Sequence, residues 1–153
     1  MPLYHVSSAD LAAGAILQPG RWGEVVRAFS RQGRALTHLG DAKILAWEAS
    51  LEAARLALAP GSPSRLNCLF TCRELKDATT FRDRFRPTSS IYEVAKTDEA
   101  APTHVADYEM ITDTGDEPFV DIWVQSALRY WRADDPALAE VLVGGAVSVI
   151  QRL

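Results

Sequence analysis

Leu3-Tyr4-His5-Val6-Ser7, at the start of the chain, and Glu140-Val141-Leu142-Val143, near its end, are the stretches that decide how the fold is read. Both read as short strands, and the residues between them alternate between strand-like and helix-like patterns. Leu66 to Cys72, Ser90 to Lys96 and a loosely patterned Thr103 to Ile111 read as further strands. Gly144-Gly145 stands between Glu140–Val143 and a last β-favouring run, Ala146 to Gln151. That turn predicts a hairpin, or two bent strands of one sheet.

The helices follow from three- and four-residue spacing. Asp41 to Leu58 carries Ile44, Trp47, Leu51, Ala54 and Leu58 on one face, with Asp41 as cap, and Pro60-Gly61-Ser62-Pro63 ends it. Glu24 to Leu36 reads as a helix with a less distinct inner face, because Gly33 and three arginines interrupt it. Glu74 to Phe85 carries Leu75, Ala78, Phe81 and Phe85. After a loop over Asp113 to Pro118, Pro118 suits a first helical turn, followed by a stripe of Val120, Trp123, Val124, Ala127, Leu128 and Trp131. Ser8 to Leu11 reads as one helical turn, capped by Ser8 and closed by Gly14, and Pro19, Gly20, Trp22 and Gly23 as a connection. The expected class is α+β, a central sheet with helices around it, in one domain over residues 1–153. No repeat or composition shift marks a second unit.

Composition narrows the partners. With 16 Lys+Arg against 20 Asp+Glu the formal net charge is -4, which argues against duplex nucleic acid as the main partner. Arg82, Arg84 and Arg86, interrupted by Asp83, read as a solvated helix end. Cys68 and Cys72 on an extended segment would lie roughly 13 Å apart, too far for a disulfide. They are expected to be reduced, in a cytosol, and two cysteines without a second clustered pair give no zinc pattern, so no metal is expected. Neither a signal peptide nor an apolar run of membrane-spanning length is visible, and the expected location is cytoplasmic, away from membranes.

Three features carry a resemblance. His5-Val6-Ser7 lies on the first strand, Phe70 ends the second, Phe81 follows on the next helix with residues 71 to 80 between them, and Glu140 opens a late strand. In this order and spacing the chain resembles the ADP-ribosyltransferase superfamily, in particular the diphtheria-toxin and poly(ADP-ribose) polymerase branch with its histidine, tyrosine, glutamate pattern. More closely along its length it resembles a family of small bacterial proteins of unassigned function with a similar Tyr-His start. Two departures stand out: both aromatics are Phe where the branch usually has Tyr, and Val6 replaces a common Gly. Phenylalanine keeps a face for stacking and loses a hydroxyl.

The resemblance implies an ADP-ribosyltransferase-like split central β-sheet with flanking helices, and NAD as substrate. Glu140 would be the catalytic carboxylate, holding the ribose 2'-hydroxyl and stabilising positive charge on the sugar. His5 would bond the adenosine-side ribose, the Val6 backbone the nicotinamide amide, and Ser7 would add a hydroxyl. Phe70 and Phe81 would sandwich the nicotinamide ring, and Arg65 would reach the pyrophosphate. Taken alone, Glu140 reads as a solvated residue at a strand start, His5 as a structural histidine, the phenylalanines as core, and Arg65 as a surface arginine after a proline turn. The implied activity is transfer of ADP-ribose from NAD to a macromolecular target, a protein acceptor, as a toxin, effector or phage-conflict protein, acting in its own cytoplasm or delivered into that of a target cell. NAD hydrolysis would use the same residues. RNA 2'-phosphate removal fits less well, for want of a basic cleft. The rival of another class is a catalytically silent module that binds a nucleotide or a partner protein on the same fold.

Overall fold

A computed structural model describes residues 1–31, 39–112, 119–132 and 135–153, with the side chains of 29–31, 39–41 and 119–123 outside that description. The elements run β1 (Leu3–Ser7), β2 (Ile16–Leu17), α1 (Arg21–Arg31), α2 (Leu39–Leu58), β3 (Leu69–Thr71), α3 (Leu75–Phe85), β4 (Ser90–Lys96), β5 (Thr103–Asp107), α4 (Phe119–Trp131), β6 (Ala139–Val143) and β7 (Val147–Arg152). The class is α+β. Two antiparallel sheets form, of order β1-β4-β7-β2 and β3-β6-β5. Among the described residues one isolated bridge, Tyr4 to Cys72, joins their backbones through two hydrogen bonds of 2.9 and 2.7 Å.

Side-chain alternation explains the layers. Leu3, Tyr92, Val94, Val147 and Val149 of the first sheet meet Leu69, Val141 and Val143 of the second in one buried core. The opposite face of the second sheet carries Phe70, Ala106 and Leu142, which pack on Leu51 and Ala54 of α2 and on Ala127, Tyr130 and Trp131 of α4. Because strand residues alternate faces, Glu140 shares the face of Leu142 and is directed toward α4. Helix α3 covers the other side of the first sheet, where Ala78 packs with Ile91 and Cys72.

Several sequence expectations are corrected. Glu140–Val143 and the last strand form neither a hairpin nor neighbours in one sheet: β6 pairs with β3 and β5, whereas β7 pairs with β4 and β2. Gly144 and Gly145 carry the chain between sheets where side chains have no room, since a Cβ on Gly144 would lie 2.9 Å from Pro102 and one on Gly145 2.7 Å from Ala101. No helical turn forms over Ser8 to Leu11, and Gly14, at φ 82, turns the chain into β2. The connection expected through Trp22 and Gly23 is the first turn of α1. Leu66 to Cys72 is strand only from Leu69, after a 3-10 turn over Arg65–Asn67, and Tyr108–Ile111 is a second such turn rather than strand. Leu75 is exposed, not part of the inner face of α3, and so is Val124 on α4. Gly33, Leu36, the Asp113–Pro118 loop and the side chains of Asp41, Val120 and Trp123 lie outside the described residues.

Candidate functional site

Where β1 and β3 part after the Tyr4–Cys72 bridge, the structure opens a cavity of about 640 Å³. Its lining includes all seven residues singled out from the sequence: His5, Val6, Ser7, Arg65, Phe70, Phe81 and Glu140. That size lies within the usual range for small-molecule sites.

The β1 side is built by strand geometry. The Tyr4 N–H and C=O both bond Cys72, so by the two-residue alternation of a strand the Val6 N–H and C=O point to the same edge, into the parting. His5 spans that parting with its side chain, Nδ1 donating to the Phe70 carbonyl at 2.8 Å. Nε2 is then the acceptor of a neutral imidazole, and burial pushes the His5 pKa below its ordinary 6.5, with the Phe70 carbonyl opposing the shift.

Glu140 is buried, 6% exposed, and is the centre of a network rather than a solvated strand start. Its Oε2 accepts from Arg65 Nη1 at 2.6 Å and from the Tyr130 hydroxyl at 2.5 Å. Arg65 Nη1 also donates to the Tyr130 oxygen at 2.6 Å, and Nε donates to Glu48 Oε2 at 3.2 Å and Oε1 at 3.3 Å. Trp22 Nε1 donates to Glu48 Oε1 at 2.8 Å, tying α1 to the same group. Arg65 is therefore no surface arginine: it is 7% exposed, and its guanidinium stacks 4.7 Å from the Phe70 ring centre and 5.0 Å from that of Tyr130. Burial pushes the Glu140 carboxyl above the ordinary carboxylate range, opposed by Arg65 and Tyr130, which favour the ionised form.

One oxygen of Glu140 is left over. Among the described residues Oε1 has no hydrogen-bond partner, yet it is not an orphaned buried atom; that description applies only to His104 Nε2. The carboxylate is thus anchored through Oε2 and keeps Oε1 accessible. Its approach is fixed as well. Buried Asp107 accepts from the Leu138 and Ala137 amides at 3.1 Å each and from the Glu109 amide at 3.0 Å, holding the chain just before β6.

Phe81 lies in a ring cluster, 5.0 Å from Tyr108 and 5.4 Å from Phe85, and all three line the cavity. Sequence reading missed Glu48, Tyr130, Trp22 and Tyr108. Glu48 had a legible signal, since positions 44, 47, 48 and 51 form one helical stripe and a carboxylate inside a stripe calls for a buried partner. Among the described residues no group of three or more His, Cys, Asp or Glu is placed to hold a metal ion, and no helix is long and apolar enough to cross a membrane.

Fold and site together define an α+β domain with a ligand-sized cavity and an anchored, buried carboxylate in its wall. By sequence, the chain belongs to the DUF2441 family, described as a protein of unknown function, whose model matches residues 30–153. The search of curated proteins gives no match.

Proposed function

We propose that this protein is an NAD-dependent ADP-ribosyltransferase on a split-sheet fold of that superfamily, which moves ADP-ribose from NAD to a protein acceptor. One observation carries the reading: residues chosen from opposite ends of the sequence for their resemblance to an NAD site line one cavity. In the reaction the bond between the ribose carbon and the nicotinamide nitrogen breaks, its electron pair leaves with nicotinamide, positive charge develops on the sugar, and the same carbon bonds to a nucleophilic atom of the acceptor, whose proton passes to solvent. Glu140 Oε1 accepts a hydrogen bond from the 2'-hydroxyl and opposes that charge, while Arg65 and Tyr130 hold Oε2 still. The outward-facing Val6 backbone takes the carboxamide, Phe70 and Phe81 offer ring faces, and neutral His5 accepts from a ribose hydroxyl through Nε2. With water as acceptor the same residues give NAD hydrolysis.

The silent-module reading has an observation of its own. Phenylalanines replace both tyrosines, and Glu140 is engaged by two donors within its own fold. Incubation of purified protein with NAD separates the readings. Nicotinamide release that falls by roughly two orders of magnitude or more in Glu140→Gln supports transfer or hydrolysis. Binding of NAD without release supports the silent module, and absence of both binding and release overturns the NAD reading.

A further inference from the structure

We propose that the rim of the cavity is a diphosphate-binding site formed by Arg21 and Arg86. Among the described residues four charged side chains line the cavity: Arg21, Arg65, Arg86 and Glu140. Arg65 is held by Glu48, Glu140 and Tyr130 through Nε and Nη1, so its charge is balanced within the fold. The diphosphate is therefore placed on the exposed arginines of the lining, which have no carboxylate partner among the described residues, rather than on Arg65.

Arg21 opens α1 and Arg86 follows α3, so the two guanidiniums come from separate elements. Both residues are exposed, and among the described residues neither guanidinium has a hydrogen bond or an ion pair. Hydroxyls of Ser8, Thr88 and Ser89 line the same cavity. Each guanidinium presents a planar fork of donors that matches a phosphate group. Two such forks, unpaired on a chain of net charge -4, match a ligand with two adjacent negative charges.

The charges are also sorted by depth. The buried group holds one cation, Arg65, against two carboxylates, Glu48 and Glu140, whereas the exposed rim holds cations alone. This polarity suits a ligand with a cationic end inside and a diphosphate outside, and so fixes which way a dinucleotide enters. The identity of that ligand as NAD rests on the function proposed above; the rim site is tested without it.

Inorganic pyrophosphate and, separately, ADP-ribose are titrated calorimetrically into the intact chain at low salt. Both bind, Arg21→Gln and Arg86→Gln each weaken binding about tenfold, as expected for loss of a charge-assisted pair, and exposed Arg129→Gln serves as an unchanged control. Melting temperatures stay at the wild-type value, since both side chains are exposed. Failure of the probes to bind, binding that ignores the two substitutions, or equal weakening by Arg129→Gln overturns the proposal. Probe binding that depends on both arginines, in a protein that neither binds nor cleaves NAD, instead overturns the NAD reading and leaves the diphosphate site standing.

Discussion

Arg65 and Glu140 form a buried ion pair in which Nη1 donates to Oε2 across 2.6 Å, with the Tyr130 oxygen within 2.6 Å of the same nitrogen. Arg65 precedes β3 and Glu140 belongs to β6, so the pair clamps neighbouring strands of the second sheet beside the cavity. Removal of the guanidinium strands two carboxylates in a poorly solvated place. Arg65→Met is expected to cost about 3–5 kcal/mol, the usual consequence of leaving buried charge uncompensated. Tyr130→Phe, which removes one hydroxyl and no charge, is expected to cost about 1–3 kcal/mol. Urea unfolding measures both. A loss under about 1 kcal/mol for Arg65→Met contradicts the network, because removing one partner of a buried pair is rarely so mild.

Gly23 lies where α1 crosses the turn before β3. A Cβ there would sit 1.9 Å from the Leu66 carbonyl oxygen, so the helix can approach only as glycine. Alanine is normally favoured over glycine in a helix, though less in a first turn than in the interior. Here the sign reverses: Gly23→Ala is expected to lose about 1–3 kcal/mol through overpacking. Gly61→Ala is the control, since nothing lies within 4 Å of its added Cβ. Thermal melts of the two variants that move together contradict the close approach.

Local patterns account for how much was legible. β4 over Ser90–Lys96 and the core face of α2 at Leu51 and Ala54 follow from spacing alone, because periodicity reports which face a residue shows. Partner choice does not. Gly144-Gly145 has the look of a hairpin turn, yet β6 and β7 go to different sheets, because what decides is the shared core of Val141, Val143, Val147 and Val149 between those sheets. The same limit governs the site. His5 and Glu140 could be singled out, but the burial of Arg65 depends on Glu48 and Tyr130 arriving from two helices, and only tertiary packing brings these together.

Cys68 and Cys72 are free and buried, and burial pushes both thiols up to about 12. Since the thiolate is the nucleophile, the native protein at pH 8 is expected to react slowly with iodoacetamide at both positions. Denaturation without reductant then exposes two titratable thiols, countable by mass spectrometry. Rapid native labelling of either cysteine contradicts its packing, and failure to label after denaturation contradicts the free thiols.

His5 and His104 both titrate below the ordinary histidine value of 6.5, chiefly because burial disfavours the charged ring, with the Phe70 carbonyl opposing the shift at His5. The unfolded chain therefore binds more protons than the folded one in the window just below pH 6.5. By linkage, stability is fully present above 6.5 and declines as the pH falls through that window. Glu140 acts with the opposite sign: its raised folded value makes protonation favour the native state as pH falls toward the ordinary carboxylate range. Glu52 and Glu109, held low by Arg55 and Arg84, lose their contributions only at still lower pH. Urea midpoints between pH 7 and 5 consequently isolate the histidines when wild type is compared with the double variant His5→Gln/His104→Gln, whose side-chain amide in place of the His5 ring keeps a donor for the Phe70 carbonyl. The double variant is expected to lose less stability on acidification than the wild type. Parallel curves, or a steeper one for the variant, would mean that these imidazoles accept protons in the folded state as readily as in the unfolded chain, and that neutral His5 is not what the cavity presents.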